Sequence, residues 1–175
     1  MRILHIDKND KKISFQAIAL VNQILTCSED PKEEMQMILN DERICLVAVE
    51  GEKLLGFVGA IPQYPYAWEL HPLVVDEAWR KKGVGQALLS ELEIELAAKG
   101  VLTIYLGTDD EEFKTSLSEG DLFDDTFNKI INIKNKARHP YEFYQKCGYK
   151  IVGVIPDANG IGKPDIWMAK RISLQ

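Results

Sequence analysis

The chain is 175 residues long, 46% hydrophobic and 27% charged, with a net charge of −6 at pH 7. That length suits one domain, expected over 1–175, with a core of useful size. No run approaches the ~18 consecutive apolar residues of a membrane-spanning helix, and the acidic balance argues against a nucleic-acid partner. Three scattered cysteines, Cys27, Cys45 and Cys147, include no C-x-x-C pair. They suit neither a disulfide framework nor a zinc site, so no metal is expected and a reducing cytoplasm is the expected location.

Met1 to Ile6 reads as a first strand that runs into charged Asp7-Lys8-Asn9-Asp10, unlike a signal peptide. Ile13 to Leu25 places Ile18, Val21 and Leu25 on one helical face. Asp30-Pro31-Lys-Glu33 is a helix start, with Asp at the N-cap, Pro next and Glu at the capping-box position; that helix runs to about Leu39. Ile44 to Glu50 and Lys53 to Pro62 read as strands joined by a hairpin at Gly51-Glu52. Ala67 to Val75 is a long third strand. Val84, Leu88, Leu92 and Leu96 recur at helical spacing, and that helix ends at Lys99-Gly100. Val101 to Gly107 is the next strand. An acidic segment follows, then a helix capped by Asp121 and carrying Phe123, Phe127, Ile130 and Ile131. His139-Pro140 opens a short helix that stops at Gly148. Tyr149 to Ile155 and Asp165 to Ile172 close the chain as strands. Early hairpins followed by β-α-β-α-β predict an α/β fold, a mixed sheet with helices on both faces.

Arg80-Lys-Lys-Gly83-Val-Gly85 lies between a strand and a helix. A Gly-rich turn opening a helix offers free backbone N–H groups and the positive end of the helix dipole, an anion site for which phosphate is the usual occupant. Arg80, Lys81 and Lys82 add charge. The spacing is neither a nucleotide P-loop nor G-x-G-x-x-G; the alternative is a basic helix start with loop glycines. Pro72 interrupts a segment that otherwise reads as a central strand. Proline has no N–H for the ladder, so it marks either a bulge or a plain edge strand.

These strings resemble the GNAT superfamily, and within it the aminoglycoside 6'-N-acetyltransferases of the enterococcal chromosomal type. The resemblance spans nearly the whole chain. It is densest over Gly56-Phe-Val-Gly-Ala-Ile-Pro-Gln63, Trp68-Glu-Leu-His-Pro-Leu-Val-Val75, Ile104-Tyr-Leu-Gly-Thr-Asp-Asp110, and His139-Pro-Tyr-Glu-Phe-Tyr-Gln-Lys-Cys-Gly-Tyr-Lys-Ile-Val-Gly-Val154. Asn159-Gly and Lys163-Pro-Asp-Ile-Trp-Met-Ala-Lys170 extend it. GNAT proteins often carry N-x-x-A-x-x-F-Y near the last helix; here Phe143-Tyr144 is kept, while Ala137 and Pro140 replace the Asn and Ala.

The resemblance implies acetyl transfer from acetyl-coenzyme A to an aminoglycoside 6'-amine, by direct attack in a ternary complex, in a homodimer. It places Leu73, Val74, Val75, Arg80, Lys81, Lys82, Gly83, Val84, Gly85, Gln86, Tyr144 and Lys146 against coenzyme A. The attacking amine must lose a proton, and the resemblance gives that proton to Glu69. His71 shares the face of Glu69 in a regular strand. The N–H of Leu73 is implied as donor to the thioester oxygen, and Tyr144 as the acid for the leaving thiolate. The alternatives are an exposed strand residue for Glu69, a structural histidine for His71 and a helix aromatic for Tyr144. Cys147 is no acyl-enzyme nucleophile, since nothing suggests a histidine–carboxylate partner for it.

Asp109, Asp110, Glu111 and Glu112 are consecutive, and Glu119, Asp121, Asp124 and Asp125 follow. They form either a solvated loop or an anionic wall for a cationic small-molecule acceptor. Trp68, Glu69, Asp109, Asp110 and Asp165 are the acceptor-binding candidates. The enzymatic rival is a protein, peptide or polyamine N-acetyltransferase with incidental antibiotic activity. The non-enzymatic rival is an acetyl-coenzyme A binding or sensing domain.

Overall fold

The computed structural model describes residues 1–7, 10–24 and 43–173. The helix expected from Asp30 to Leu39 and Cys27 lie outside the described residues. Contacts divide the chain into two compact units, Met1–Ile104 with Ile172–Gln175, and Tyr105–Arg171.

The first unit contains β1 (Arg2–His5), α1 (Lys11–Ile24), β2 (Ile44–Glu50), β3 (Lys53–Pro62), β4 (Ala67–Val75) and α2 (Val84–Ala98). Its strands run β1-β2-β3-β4, each antiparallel to the next. The hairpin falls at Gly51-Glu52, where Gly51 supplies a left-handed φ of 60°. Ala17, Leu20 and Val21 of α1 pack on Cys45, Val47, Val49, Phe57 and Val74. Leu46 and Ala48 alternate with that set and are equally buried, so β2 is covered on both faces. The second cover is α2, which packs on β2 and β3 and buries Val84, Leu88, Leu89, Leu92 and Leu96. Each buried leucine contributes about 1.5–3 kcal/mol. The helix ends where Gly100 turns left-handed and the Val101 N–H returns to the Leu96 carbonyl at 3.0 Å.

Of the two readings of Pro72, a bulge or a plain edge strand, the bulge is present. Val58 faces Leu73 and Ala60 faces Leu70, so Gly59 alone spans His71 and Pro72. A Cβ on Gly59 would lie 2.5 Å from the His71 carbonyl oxygen. Only glycine lets β3 run this close beneath the bulge.

β5 (Thr103–Asp109) begins in the first unit and continues in the second, two residues later than the sequence spacing predicts. The second unit adds α3 (Thr126–Ile131), α4 (Tyr141–Lys146), β6 (Lys150–Ile155) and β7 (Asp165–Arg171), with strand order β5-β7-β6. β6 and β7 are antiparallel, from Lys150 opposite Ala169 to Ile155 opposite Asp165. Leu106, Ile166, Met168, Leu117, Leu122, Tyr141 and Tyr149 are buried.

One helix departs from expectation. Asp121 does not cap α3; its carboxylate accepts the Phe123 N–H at 2.9 Å and closes a turn. The helix begins after left-handed Asp125. Phe123, Phe127 and Ile131 are 70%, 81% and 76% exposed.

Candidate functional site

In the first unit, β4 delivers the candidates in sequence. Glu69, His71, Leu73 and Val75 are half-buried and alternate with buried Leu70, Pro72 and Val74. The Glu69 carboxylate accepts a hydrogen bond from Gln63 Nε2 at 3.1 Å. Gln63 follows β3, and the register that sets Ile61 opposite Glu69 and Pro62 opposite Trp68 brings it there. Nothing in the sequence marks a role for Gln63; only the register reveals it.

β4 leads directly into the glycine turn. The Asp76 N–H bonds the Leu55 carbonyl at 2.9 Å, and its carboxylate accepts the Ala78 N–H at 2.9 Å. That closes a 3-10 turn over Glu77–Trp79. Arg80 Nε donates to the Val75 carbonyl at 3.3 Å, which sets the guanidinium beside the strand end. Lys82 Nζ lies 4.8 Å from the centre of the Trp79 ring. Lys81 and Gly83 are left-handed, with φ of 61° and 83°. Gly83 is the N-cap of α2, and no side chain caps the helix. The first-turn N–H groups, including those of Gly85 and Gln86, therefore meet no side-chain oxygen at the cap, and three cations crowd the same turn. Chemically this is a strand with a bulge and a carboxylate, ending in a cationic helix start.

The second unit holds the remaining candidates. Tyr144 is buried on α4, edge-on to Phe143 and Tyr149. Burial pushes its phenol above the ordinary tyrosine range. Lys146 is exposed in the last turn of α4, and half-buried Cys147 follows it. The Cys147 carbonyl accepts from Lys170 Nζ at 2.9 Å. Asp165 opens β7 and accepts from Trp167 Nε1 at 2.6 Å; that indole stacks on Tyr105, with ring centres 5.7 Å apart. A Cβ on Gly107 would come within 2.5 Å of the Asp165 carboxylate, so this glycine makes the room for it.

The acidic stretch divides. Asp109 is exposed, and its carboxylate accepts from Asn159 Nδ2. Asp110 departs from the acceptor-binding role. It is 0% exposed. One oxygen accepts the Lys114 N–H at 2.6 Å; the other accepts the Thr115 N–H, the Thr115 hydroxyl and the Ser118 hydroxyl at 2.7–2.8 Å. Burial alone would raise this carboxyl, but those donors together hold it below the usual aspartate value. Asp110 is the hub of its own loop and presents no oxygen to the surface. Further along, Glu112 pairs with Lys114 at 2.7 Å and Glu119 with Lys136 at 2.6 Å. Part of the acidic charge is thus neutralised locally.

Nothing in the sequence marks a role for His139 or Asn159 either. A glycine inside a strand pattern was the available signal for Gly59 and Gly107; nothing comparable marked the other two. Among the described residues, no group of three or more His, Cys, Asp or Glu is placed to hold a metal ion, and no helix is long and apolar enough to cross a membrane.

Residues 15–116 match the model of the Acetyltransferase (GNAT) family. No curated protein sequence gives a significant match. Among solved structures, an aminoglycoside 6'-N-acetyltransferase complexed with coenzyme A is 48% identical, covering 100% of this chain and 99% of its own, with a TM-score of 0.95. The aminoglycoside 6'-N-acetyltransferase from Enterococcus faecium is also 48% identical over the same shares, at 0.94. An aminoglycoside 6'-acetyltransferase type Ii is 41% identical, again over 100% and 99%, at 0.79.

Proposed function

Because the chain belongs to the GNAT acetyltransferase family and has its α/β fold, with seven strands among the described residues, we propose that it acetylates the 6'-amine of aminoglycosides from acetyl-coenzyme A. The observation that carries this reading is the continuity of β4. One strand bears Glu69, bulges at Pro72 and leads, through the 3-10 turn at Glu77–Trp79, to an uncapped, basic helix start. The full-length relatives named above support the acceptor class.

The pyrophosphate of coenzyme A is assigned to the turn from Arg80 to Gln86, where N–H groups and cations converge. Leu73, Val74 and Val75 offer backbone to the strand-like pantetheine arm, and Lys146 adds a cationic contact. Glu69, oriented by Gln63, takes the proton of the acceptor amine directly or through water. His71 lies beside it on the strand. The amine nitrogen bonds to the thioester carbonyl carbon while the Leu73 N–H stabilises the oxyanion. The carbon–sulfur bond then breaks, and Tyr144 protonates the departing thiolate. A phenol raised by burial remains protonated at neutral pH, as a donor must. Trp68, Asp109 and Asp165 are assigned to the ammonium groups of the acceptor. We assign the reaction to one domain over 1–175, acting as a cytoplasmic homodimer.

The deciding experiment follows thiol release from acetyl-coenzyme A with kanamycin-type compounds, polyamines and a Lys-rich peptide side by side. The proposal expects the aminoglycosides to have the highest kcat/KM, and Glu69→Gln to lower it by roughly 10²–10⁴-fold. Preference for the peptide or the polyamines would overturn the acceptor assignment. Absence of turnover with every acceptor, despite coenzyme A binding, would leave a sensing domain.

A further inference from the structure

His139 is 2% exposed, and both of its ring nitrogens meet backbone. Nε2 lies 3.0 Å from the Asp109 carbonyl oxygen, and the Tyr141 N–H donates to Nδ1 at 3.2 Å. These partners leave one assignment. An amide N–H only donates, so Nδ1 carries no proton; a carbonyl only accepts, so Nε2 carries it. The ring is therefore the neutral Nε2–H tautomer. It joins the last residue of β5 to the first residue of α4, the helix that carries Tyr144 one turn later. The backbone of His139 is held in turn by Asn135, whose Oδ1 accepts the His139 N–H at 2.8 Å and whose Nδ2 donates to its carbonyl at 2.9 Å.

We propose that neutral His139 is a positioning residue for the transfer reaction, a crossbar that fixes Asp109 relative to the helix bearing Tyr144. The inference rests on the roles given above to Asp109 and Tyr144. A proton added at Nδ1 would point at the Tyr141 N–H, donor against donor, so acid undoes the crossbar at the end that starts α4. Burial is the largest influence on the ring and opposes charge. The hydrogen bond to the Asp109 carbonyl and the Asp110 and Asp109 carboxylates favour the charged form, Lys114 disfavours it, and the balance keeps the imidazole below its ordinary value. The ring of Tyr141 packs beside it, with centres 5.7 Å apart.

The two arms are separable by substitution. His139→Asn keeps an acceptor near the Nδ1 position and loses the donor to Asp109. His139→Gln keeps a donor near the Nε2 position and loses the acceptor for Tyr141. Each is expected to lower acceptor kcat/KM by roughly three- to tenfold, the worth of one hydrogen bond. His139→Leu loses both arms and should fall further, with the affinity for acetyl-coenzyme A unchanged in all three. The wild-type kcat/KM profile should carry an acid limb from the imidazole that is missing from every variant; were His139 merely structural, the variants would lose stability and share the wild-type profile. A His139→Leu variant with wild-type kinetics and pH profile would overturn the proposal.

Nitrogen-15 histidine spectra of the unaltered enzyme keep the idea testable even if a variant fails to fold. They should show the Nε2–H tautomer at neutral pH, with slow exchange of the Tyr141 amide that is lost on acidification. An Nδ1–H or doubly protonated ring at neutral pH would overturn it. If Tyr144→Phe and Glu69→Gln leave turnover untouched while His139→Leu lowers it and the spectra show this tautomer, the acid–base roles have failed and the positioning by His139 has not.

Discussion

Asp110→Asn separates a structural carboxylate from a substrate-binding one. The carboxylate receives four donors, one on Oδ1 and three on Oδ2. An asparagine can offer its oxygen to only one of those two positions. With the oxygen toward Thr115 and Ser118, the amide NH₂ confronts the Lys114 N–H inside a site with no solvent exposure. The cost is one charge-assisted hydrogen bond lost and one buried donor orphaned, together about 2–4 kcal/mol. At about 2–4 °C per kcal/mol for a chain of this size, the melting temperature should fall by roughly 5–15 °C. The pH dependence has a definite sign. Asp110 has a lowered value in the folded state, so its stabilisation is present above the unfolded value of about 3.9 and is lost as pH falls through the folded one. Thermal unfolding followed by circular dichroism at neutral and acid pH should show the variant losing less on acidification than the wild type. Calorimetry with an aminoglycoside, on folded variant, should show little change in acceptor affinity. The reasoning is refuted if the melting temperature is unchanged while acceptor affinity falls in step with the acceptor's number of amines.

Gly83→Asp should abolish most acetyl-coenzyme A binding by calorimetry, by placing negative charge where phosphate is proposed to sit. Gly83→Asn is its control, because asparagine tolerates a left-handed φ and nothing lies within 4 Å of the new Cβ; equal loss in both would indict backbone strain instead. Tyr144→Phe removes only the hydroxyl and should lower kcat with little change in coenzyme A affinity; a fall in affinity alone would make Tyr144 a binding residue. Asp109→Asn combined with Glu112→Gln should raise KM for an aminoglycoside with many amines more than either alone. Exposed pairs are worth at most about 1 kcal/mol each and are screened within roughly 10 Å at 0.1 M salt, so added salt should mimic the double variant. Indifference of KM to both salt and substitution would make this stretch a solvated loop.

What sequence reveals here follows the range of the forces involved. The hairpin at Gly51-Glu52 and the bounds of β2, β3 and β4 are local matters of alternation and turn chemistry, and the structure places them as read. Pro72 was legible for the same reason, since a missing N–H disrupts a ladder wherever the strand lies. Asp110 was not legible. Beside Asp109, Glu111 and Glu112 it reads as one more solvated charge, and its burial depends on a loop folding back to bring Thr115 and Ser118 to one oxygen. The spacing of Phe123, Phe127 and Ile131 gave a shared face but not what covers it, and that face is exposed. Gln63 and His139 act through partners six and thirty residues away in the chain. Register and tertiary placement, unlike periodicity, leave no mark in a short window.

The tight passage of β3 beneath the bulge has a consequence for mutational tolerance. Leu54-Leu55-Gly56-Phe57-Val58-Gly59-Ala60 looks like interchangeable strand filler, where one small apolar residue ought to serve as well as another. Position 59 does not have that freedom. Any side chain there must displace the His71 carbonyl, and with it the backbone on which Glu69 and Leu73 depend for their spacing. In a saturation scan under selection for acetyl transfer, Gly59 should therefore cluster with the residues of the site, although its own atoms offer a ligand nothing to bind. Loss-of-function alleles would accumulate on a strand behind the chemistry, and any redesign of acceptor preference through β4 would inherit this glycine as a fixed condition.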